Sequence, residues 1–180
     1  MVNIVVLTAI ACLMLPFPYM AEAAVKPPDY VRQAIPDAEL RGEGRLSVMV
    51  WSLYDARLWA AAHSGDNVFD SQFMLELTYL RHISGRQIAD ATAEEIRSQG
   101  LNDEIKIATW HRQLKRIIPD VDTGITLAGM SNKAGYTVFF KNGKEIGRIT
   151  DPEFTRYFFN IWLGDKTRNP RLRQQLMGGR

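Results

Sequence analysis

The stretch Gly42–Trp59, GEGRLSVMVWSLYDARLW, decides the fold that we expect for this chain of 180 residues. A Gly-x-Gly-Arg segment leads into a long apolar run that contains one tyrosine. The even positions from Leu46 to Ala60 are apolar or aromatic with the exception of Ser52, and this period of two predicts a β-strand with one buried face. A strand from Arg45 to Ala60 would exceed the usual length of about 5–6 residues, so we expect a bend or bulge near Ser52.

Two side chains of this stretch suggest a binding site for an oxyanion. The guanidinium of Arg45 at the start of the strand and the phenol of Tyr54 within it could bind one oxyanion between apolar walls, because a planar guanidinium donates two parallel charge-assisted hydrogen bonds. Arg45 has the odd phase, so a bulge must separate the two residues if they are to share a face. The alternatives are a surface arginine near a turn and a core tyrosine bonded to the backbone.

The N-terminus differs from the rest of the chain. Asn3–Pro18 is apolar apart from two residues, and Ala21–Ala23 has the small-x-small pattern of a signal-peptidase site. We therefore predict that residues 1–23 are a signal peptide, too short in its apolar part for a permanent membrane span, and that the protein is exported to the periplasm. An uncleaved anchor is the alternative, since no lysine or arginine precedes the apolar run. The single cysteine, Cys12, lies in this segment, so the mature chain would form no disulfide.

Composition and motifs argue against several classes of function. The net charge is +2 and the basic residues are scattered, which gives no support for a nucleic-acid partner. The three histidines lack metal-ligand spacing, and HExxH and CxxC patterns are absent. Gly42-x-Gly44 lacks the third glycine and the following helix of a dinucleotide fingerprint. We expect neither a metal nor a cofactor.

The remaining sequence alternates between runs of strands and runs of helices, the order typical of an α+β domain. Residues 24–40 contain three prolines and are predicted as an extended lead-in to a domain over residues 41–178. Ser84 and Gln87 form a capping box at the start of a helix that ends at Gly100. The other predicted elements are a strand Phe73–Tyr79, a helix from Asn102 to Pro119, strands Ile125–Met130, Tyr136–Lys141 and Glu145–Thr150, a helix from Asp151 to Gly164 and a short helix after Asn169.

Two groups of side chains are expected to be structural. Five aromatic residues at core-like spacing favour ordinary packing over an acyl-chain tunnel: Trp51, Trp59, Trp110, Phe158 and Trp162. Three acidic residues share a helix with two arginines and are interpreted as a solvated face: Asp90, Glu94 and Glu95.

Over Leu40–Met177 the sequence resembles the chalcone isomerase-like family, in its bacterial exported branch. The resemblance rests on the order of four segments: Gly42–Arg45, Leu53–Trp59, Tyr79–Gly85, and Asp151–Phe154 with Phe159–Gly164. It implies an open-faced β-sandwich in which a large antiparallel sheet has helices packed on one side and a ligand cleft between the two layers.

The resemblance also implies a function. Some members are isomerases that close a flavanone ring by intramolecular Michael addition, and others bind fatty acids without catalysis. Both use an arginine near the start of the strand unit, which Arg45 matches, and the fatty-acid binders carry a tyrosine that Tyr54 matches. The isomerases also have a helix tyrosine and a late threonine. Here Leu101–Glu104 contains no tyrosine, and Ile161 occupies the place of the threonine.

The expectation is therefore a non-catalytic binder of a fatty acid or a similar small amphipathic anion in the cell envelope. Two alternatives remain open: an intramolecular lyase of the chalcone isomerase type that acts on an enone, and an envelope protein-interaction module. No protein partner can be named from the residues.

Overall fold

The computed structural model describes residues 25–65 and 67–179, so the predicted signal peptide, residues 1–23, lies outside the described residues. The described strands are β1 (Ala38–Val48), β2 (Trp51–Ala61), β3 (Phe73–Tyr79), β4 (Thr126–Ser131), β5 (Thr137–Lys141) and β6 (Lys144–Ile149). The helices are α1 (Asp29–Ala34), α2 (Gly85–Ser98), α3 (Glu104–Ile117), α4 (Pro152–Leu163) and α5 (Pro170–Leu176), with one short 3₁₀ turn at Val68–Asp70.

The six strands form one antiparallel sheet in the order β1-β2-β3-β4-β5-β6, so each strand pairs with the next along the chain. Helices α2 to α5 pack on one face, where they enclose the larger of two hydrophobic cores. Helix α1 packs on the opposite face over a smaller core. The α+β class and the large antiparallel sheet with a helical layer are confirmed.

The quoted stretch forms a hairpin, and the prediction of one strand from Arg45 to Ala60 is wrong. The chain reverses at Met49 and Val50, with Val48 paired to Trp51 across a two-residue turn. The turn escaped prediction because it contains neither glycine nor asparagine, the residues that usually mark such a connection.

A bulge explains why the apolar residues stay at even positions on both sides of the turn. Ser47 pairs with Ser52, but Leu46 pairs with Tyr54, so Leu53 is an extra residue on β2. A two-residue turn alone would place even positions of β1 opposite odd positions of β2. The bulge removes that offset, and the even residues of both strands therefore share the helix-covered face.

The expected extended lead-in over residues 24–40 is also corrected. Asp29–Ala34 is helical, Val31 and Ile35 are buried, and β1 begins at Ala38. These apolar side chains cover Trp59 and Met74 on the second face of the sheet. The prolines that suggested an extended segment precede and follow the helix, where their fixed φ is tolerated.

Local signals elsewhere predicted the structure well. Ser84 and Gln87 form the reciprocal capping box of α2, and Asp151 caps α4 by accepting hydrogen bonds from the N–H groups of Glu153 and Phe154. Asn142 and Gly143 connect β5 to β6 with φ angles of 49° and 80°, as a type I′ turn requires. The cap of α3 is Asp103, one residue beyond the predicted Asn102.

The Gly-x-Gly segment allows α5 to lie directly on the sheet. A Cβ atom at Gly42 would come within 2.0 Å of the carbonyl oxygen of Gln175, and one at Gly44 within 2.8 Å of the Leu172 side chain. The two glycines therefore serve helix–sheet packing. Among the described residues, no helix has both the length and the apolar character needed to cross a membrane.

Candidate functional site

A cavity of about 350 Å³ lies between the sheet and the helical layer. This size is within the range of small-molecule sites, about 300–1,000 Å³. Its walls are mainly apolar side chains of β1 to β5 and of α2, α3 and α4. They include Leu46, Leu53, Leu75, Leu77, Ile83, Ile88, Leu114, Ile118, Leu127, Phe139, Phe158, Ile161 and Trp162. Most of this wall can therefore contact an apolar chain without burying a polar group.

Two tyrosines place polar groups in this apolar lining. Tyr54 on β2 and Tyr79 on β3 are direct cross-strand partners, and their rings meet edge to face with centroids 5.7 Å apart. Both side chains line the cavity, and both residues are buried. The phase of the strands explains the pair, since each tyrosine continues the helix-facing series of its own strand.

The hydroxyl groups of this tyrosine pair have unused hydrogen-bonding capacity. The indole N–H of Trp162 donates to the Tyr54 hydroxyl over 2.9 Å, which uses the oxygen as acceptor and leaves the O–H free. Among residues 25–65 and 67–179, the Tyr79 hydroxyl has no protein hydrogen-bond partner, and it is accessible to water from the cavity, because every fully buried side-chain polar atom of these residues has a partner. Burial raises the pKa of both phenols, so they are neutral donors at physiological pH.

An acidic group lies where the cavity meets solvent. Glu95 of α2 lines the cavity with 27% of its side chain exposed, and Arg168 holds it from outside through an ion pair of 3.3 Å. The charge of Glu95 adds to burial in raising the pKa of Tyr54. The sequence had suggested that Glu95 belongs only to a solvated helix face. The structure places it in the cavity wall as well. In the part of the chain that the structure describes, the lining contains no lysine or arginine.

The structure does not bring Arg45 and Tyr54 together. Arg45 pairs with Asp55 across β1 and β2 and forms a two-bond ion pair with it, with distances of 2.6 and 3.0 Å. This pair is on the face opposite Tyr54, and Arg45 is not among the cavity residues. Asp55 raises the pKa of the guanidinium through these contacts. The predicted oxyanion site required a bulge that would place Arg45 and Tyr54 on the same face of the sheet. The observed bulge at Leu53 instead keeps the two residues on opposite faces.

Tyr79, Thr92 and Glu95 line the cavity but were not predicted from the sequence as site residues. Two signals could have identified Tyr79. It ends the apolar series of β3, and it is the first residue of Tyr79–Gly85, one of the segments that carry the family resemblance. Of the five aromatic residues expected in the core, Phe158 and Trp162 line the cavity, Trp59 and Trp110 are buried elsewhere, and Trp51 is exposed.

Metal binding has no support in the described residues, which contain no group of three or more His, Cys, Asp or Glu side chains arranged to hold an ion. His82 and His111 each lie beside one carboxylate, Asp122 and Asp90 respectively.

Comparison with known families identifies this arrangement of sheet, helices and cavity. The model of the family described as chalcone isomerase-like matches residues 20–178. The chain belongs to the chalcone isomerase-like family. The match includes α1, so this family's domain extends beyond the predicted start at residue 41.

A solved structure shares the chalcone isomerase-like fold. A fatty-acid binding protein of Arabidopsis thaliana is similar, with a TM-score of 0.62 and 12% sequence identity over 81% of this chain and 90% of the plant protein. At this identity the likeness establishes the fold alone. No match is found among curated proteins.

Proposed function

We propose that this protein is a non-catalytic binder of a fatty acid or a similar small amphipathic molecule, and that the ligand occupies the cavity between the sheet and the helices. One observation carries the proposal: two buried tyrosines, Tyr54 and Tyr79, present O–H donors to a mainly apolar cavity. The name of the structurally similar plant protein supports the same ligand class.

The two ends of such a ligand match the two kinds of wall. The acyl chain contacts the aliphatic and aromatic side chains of the sheet and of α4, where apolar burial contributes about 25 cal/mol per Å². The carboxyl oxygen accepts hydrogen bonds from Tyr54 and Tyr79. Each of these hydrogen bonds should contribute about 0.5–1.5 kcal/mol to binding, the usual net value of a hydrogen bond that replaces one to water.

The charges of the site favour the neutral form of the ligand's head group. The described cavity lining contains the carboxylate of Glu95 and no cation, and an apolar surrounding disfavours a second negative charge. A fatty acid would therefore be held as the protonated acid. A neutral amphiphile with a carbonyl oxygen would meet the same two donors.

Location in the cell envelope is part of the proposal and rests on the predicted signal peptide. Residues 1–23 combine an apolar run with a small-x-small site, as an export signal does. Mass analysis of the protein recovered from periplasm tests this point, since cleavage would leave a chain that begins at Ala24.

Native mass spectrometry with lipid extraction tests the binding function. The wild type is compared with the double variant Tyr54→Phe, Tyr79→Phe and with Arg45→Ala. We expect a copurifying amphiphile in the wild type and in Arg45→Ala, and its loss from the double variant. Arg45 as a ligand contact stays a prediction from sequence, and loss of the lipid in Arg45→Ala would support it.

Two results would contradict the proposal. One is an empty wild type that also fails to bind added lauric acid. The other is conversion of a hydroxychalcone to a flavanone by the wild type, which would make the protein an isomerase. The tyrosine double variant is the control for that assay, because a contaminating activity would be the same in both samples.

A further inference from the structure

The tip of the β1–β2 hairpin presents four consecutive apolar side chains to solvent. Val48, Met49, Val50 and Trp51 are 52%, 93%, 86% and 62% exposed. We call these four residues the apolar tip. Elsewhere in the described residues, the large exposed apolar side chains are isolated: Val25, Phe69 and Ile105. Single exposed apolar residues need no explanation, but a contiguous group of four does.

The turn within the apolar tip is locally unfavourable. Met49 has a φ of 54°, in the left-handed region that favours glycine and asparagine. At its other two-residue hairpin turn the same chain uses Asn142 and Gly143. Met49 and Val50 are therefore unfavourable in two ways: they are poor residues for this turn, and they expose apolar side chains to water. Such a combination is expected where a loop has a binding role.

The apolar tip is continuous with the cavity. Val48 is half exposed at the tip and also lines the cavity, and Leu46 and Leu53 extend the apolar wall inward from it. Across the same opening, Gln87, Ala91 and Glu95 form one edge of α2. Val48 therefore gives the cavity an apolar margin that continues into the tip.

A cation accompanies the apolar tip. The guanidinium of Arg81 lies 5.2 Å from the centre of the Trp51 ring, a cation–π contact. Within the described ranges Arg81 has no carboxylate within 4.0 Å, although most of the other exposed arginines do. A tryptophan with an adjacent unpaired arginine is the combination that favours the interface between the acyl chains and the phosphates of a membrane.

We propose that the apolar tip inserts into the surface of a phospholipid bilayer, with Arg81 against the lipid phosphates, so that the cavity opens towards the membrane. A protein partner fits the tip less well, because specific protein interfaces use about 20–30 residues on each side. Four protruding residues with one cation are sufficient for shallow insertion. The proposal does not depend on which molecule the cavity holds.

Bromolipid quenching of tryptophan fluorescence tests the insertion. Of the four tryptophans only Trp51 is exposed, so quenching by brominated lipids reports on the apolar tip. The full chain is mixed with vesicles of phosphatidylcholine and phosphatidylglycerol that contain brominated acyl chains. The test variant is Met49→Gly with Val50→Asn, which places glycine at the central position with positive φ, as a type II′ turn prefers, and is expected to preserve the fold. The control Ile105→Asn removes an isolated exposed apolar residue on α3.

We expect quenching in the wild type and in Ile105→Asn. The turn variant should lose at least about tenfold in vesicle affinity, because two inserted apolar side chains are removed. The melting temperature of the turn variant should equal or exceed that of the wild type. Absence of quenching in the wild type, or equal quenching in the turn variant, would overturn the proposal. A dimer in the wild type that the turn variant lacks would assign the tip to a second copy of the chain and would also overturn it.

Discussion

The two faces of the sheet each carry a tyrosine, a tryptophan and a glutamate, but they use them differently. On the face covered by α1, the carboxylate of Glu76 accepts hydrogen bonds from the Tyr30 hydroxyl and the Trp59 indole, and its side chain is buried. On the cavity face, Trp162 donates to Tyr54, the hydroxyl of Tyr79 has no partner among the described residues, and Glu95 lies at the edge of the opening.

This difference separates a structural cluster from a binding site. Around Glu76 each donor has its acceptor and apolar side chains fill the remaining space. In the cavity the O–H groups of Tyr54 and Tyr79 donate to no protein acceptor among the described residues, and open space lies beside them. The residue types are similar on the two faces, so the unused donors beside open space distinguish the binding face. Changes to the first cluster should affect stability, and changes to the second should affect affinity.

The largest expected effect is on stability, from Glu76→Leu. This change leaves the buried donors of Tyr30 and Trp59 without an acceptor, and we expect a loss of about 3 kcal/mol in the free energy of unfolding. Urea denaturation measures it. Glu76→Gln is the matched control, because an amide oxygen still accepts one of the two bonds and should retain part of the stability. A loss below about 1 kcal/mol for Glu76→Leu would show that the cluster is not structural.

The next effect is on affinity, from Tyr79→Phe. The change removes a hydroxyl that has no protein partner, so the protein should be as stable as the wild type. Binding of lauric acid, measured by titration calorimetry, should weaken about two- to tenfold, the value of one hydrogen bond. Tyr30→Phe is the matched control on the other face of the sheet. It should lower the free energy of unfolding and leave the affinity for lauric acid unchanged. Unchanged binding by Tyr79→Phe would remove this tyrosine from the site.

A smaller effect concerns pH. Burial and the charge of Glu95 raise the pKa of Tyr54, and the same two causes should raise the pKa of a carboxyl group bound beside it above the value of about 4–5 for a free carboxylic acid. Since the pKa of the ligand's carboxyl group is higher in the complex, affinity is greatest at pH values below the pKa of the free acid. It decreases as pH rises through the pKa of the bound acid.

We therefore expect lauric acid to bind more weakly as pH rises above about 5, and methyl laurate to show no such decrease. Glu95→Gln removes the negative charge and should reduce the decrease for lauric acid. If affinity for lauric acid instead increased with pH, the ligand would be bound as an anion, and a cation such as Arg168 would have to contact it.

The smallest effect is expected from Arg45→Ala. The guanidinium and the Asp55 carboxylate are both largely exposed, with 57% and 42% of their side chains accessible, and such pairs contribute little to stability. Stability and lauric acid affinity should both stay close to those of the wild type. A clear loss of affinity with unchanged stability would restore Arg45 to the binding site.

The sequence predicted those parts of the fold that depend on short-range signals. The capping box at Ser84, the Asp151-Pro152 helix start and the Asn142-Gly143 turn each act within a few residues, and their side chains have few alternatives. The turn at Met49 was not predictable in this way, because its residues suit the proposed contact outside the chain and not the turn itself.

The binding site was predicted only in part for a similar reason. Tyr54 was identified through the family resemblance, and its apolar phase agrees with its position in the cavity. Tyr79 becomes significant only when the pairing of β2 with β3 places it opposite Tyr54. The outward position of Arg45 follows from the register of a bulged hairpin, which periodicity alone does not determine.

A crystal structure of the protein with lauric acid brominated at its terminal carbon tests the central claim most directly. We predict anomalous density for the bromine among the apolar walls between the sheet and α4. The carboxyl oxygens should lie within about 2.5–3.0 Å of the hydroxyl oxygens of Tyr54 and Tyr79. Bromine density on the opposite face with the carboxylate at Arg45, or an empty cavity at saturating ligand, would contradict the account.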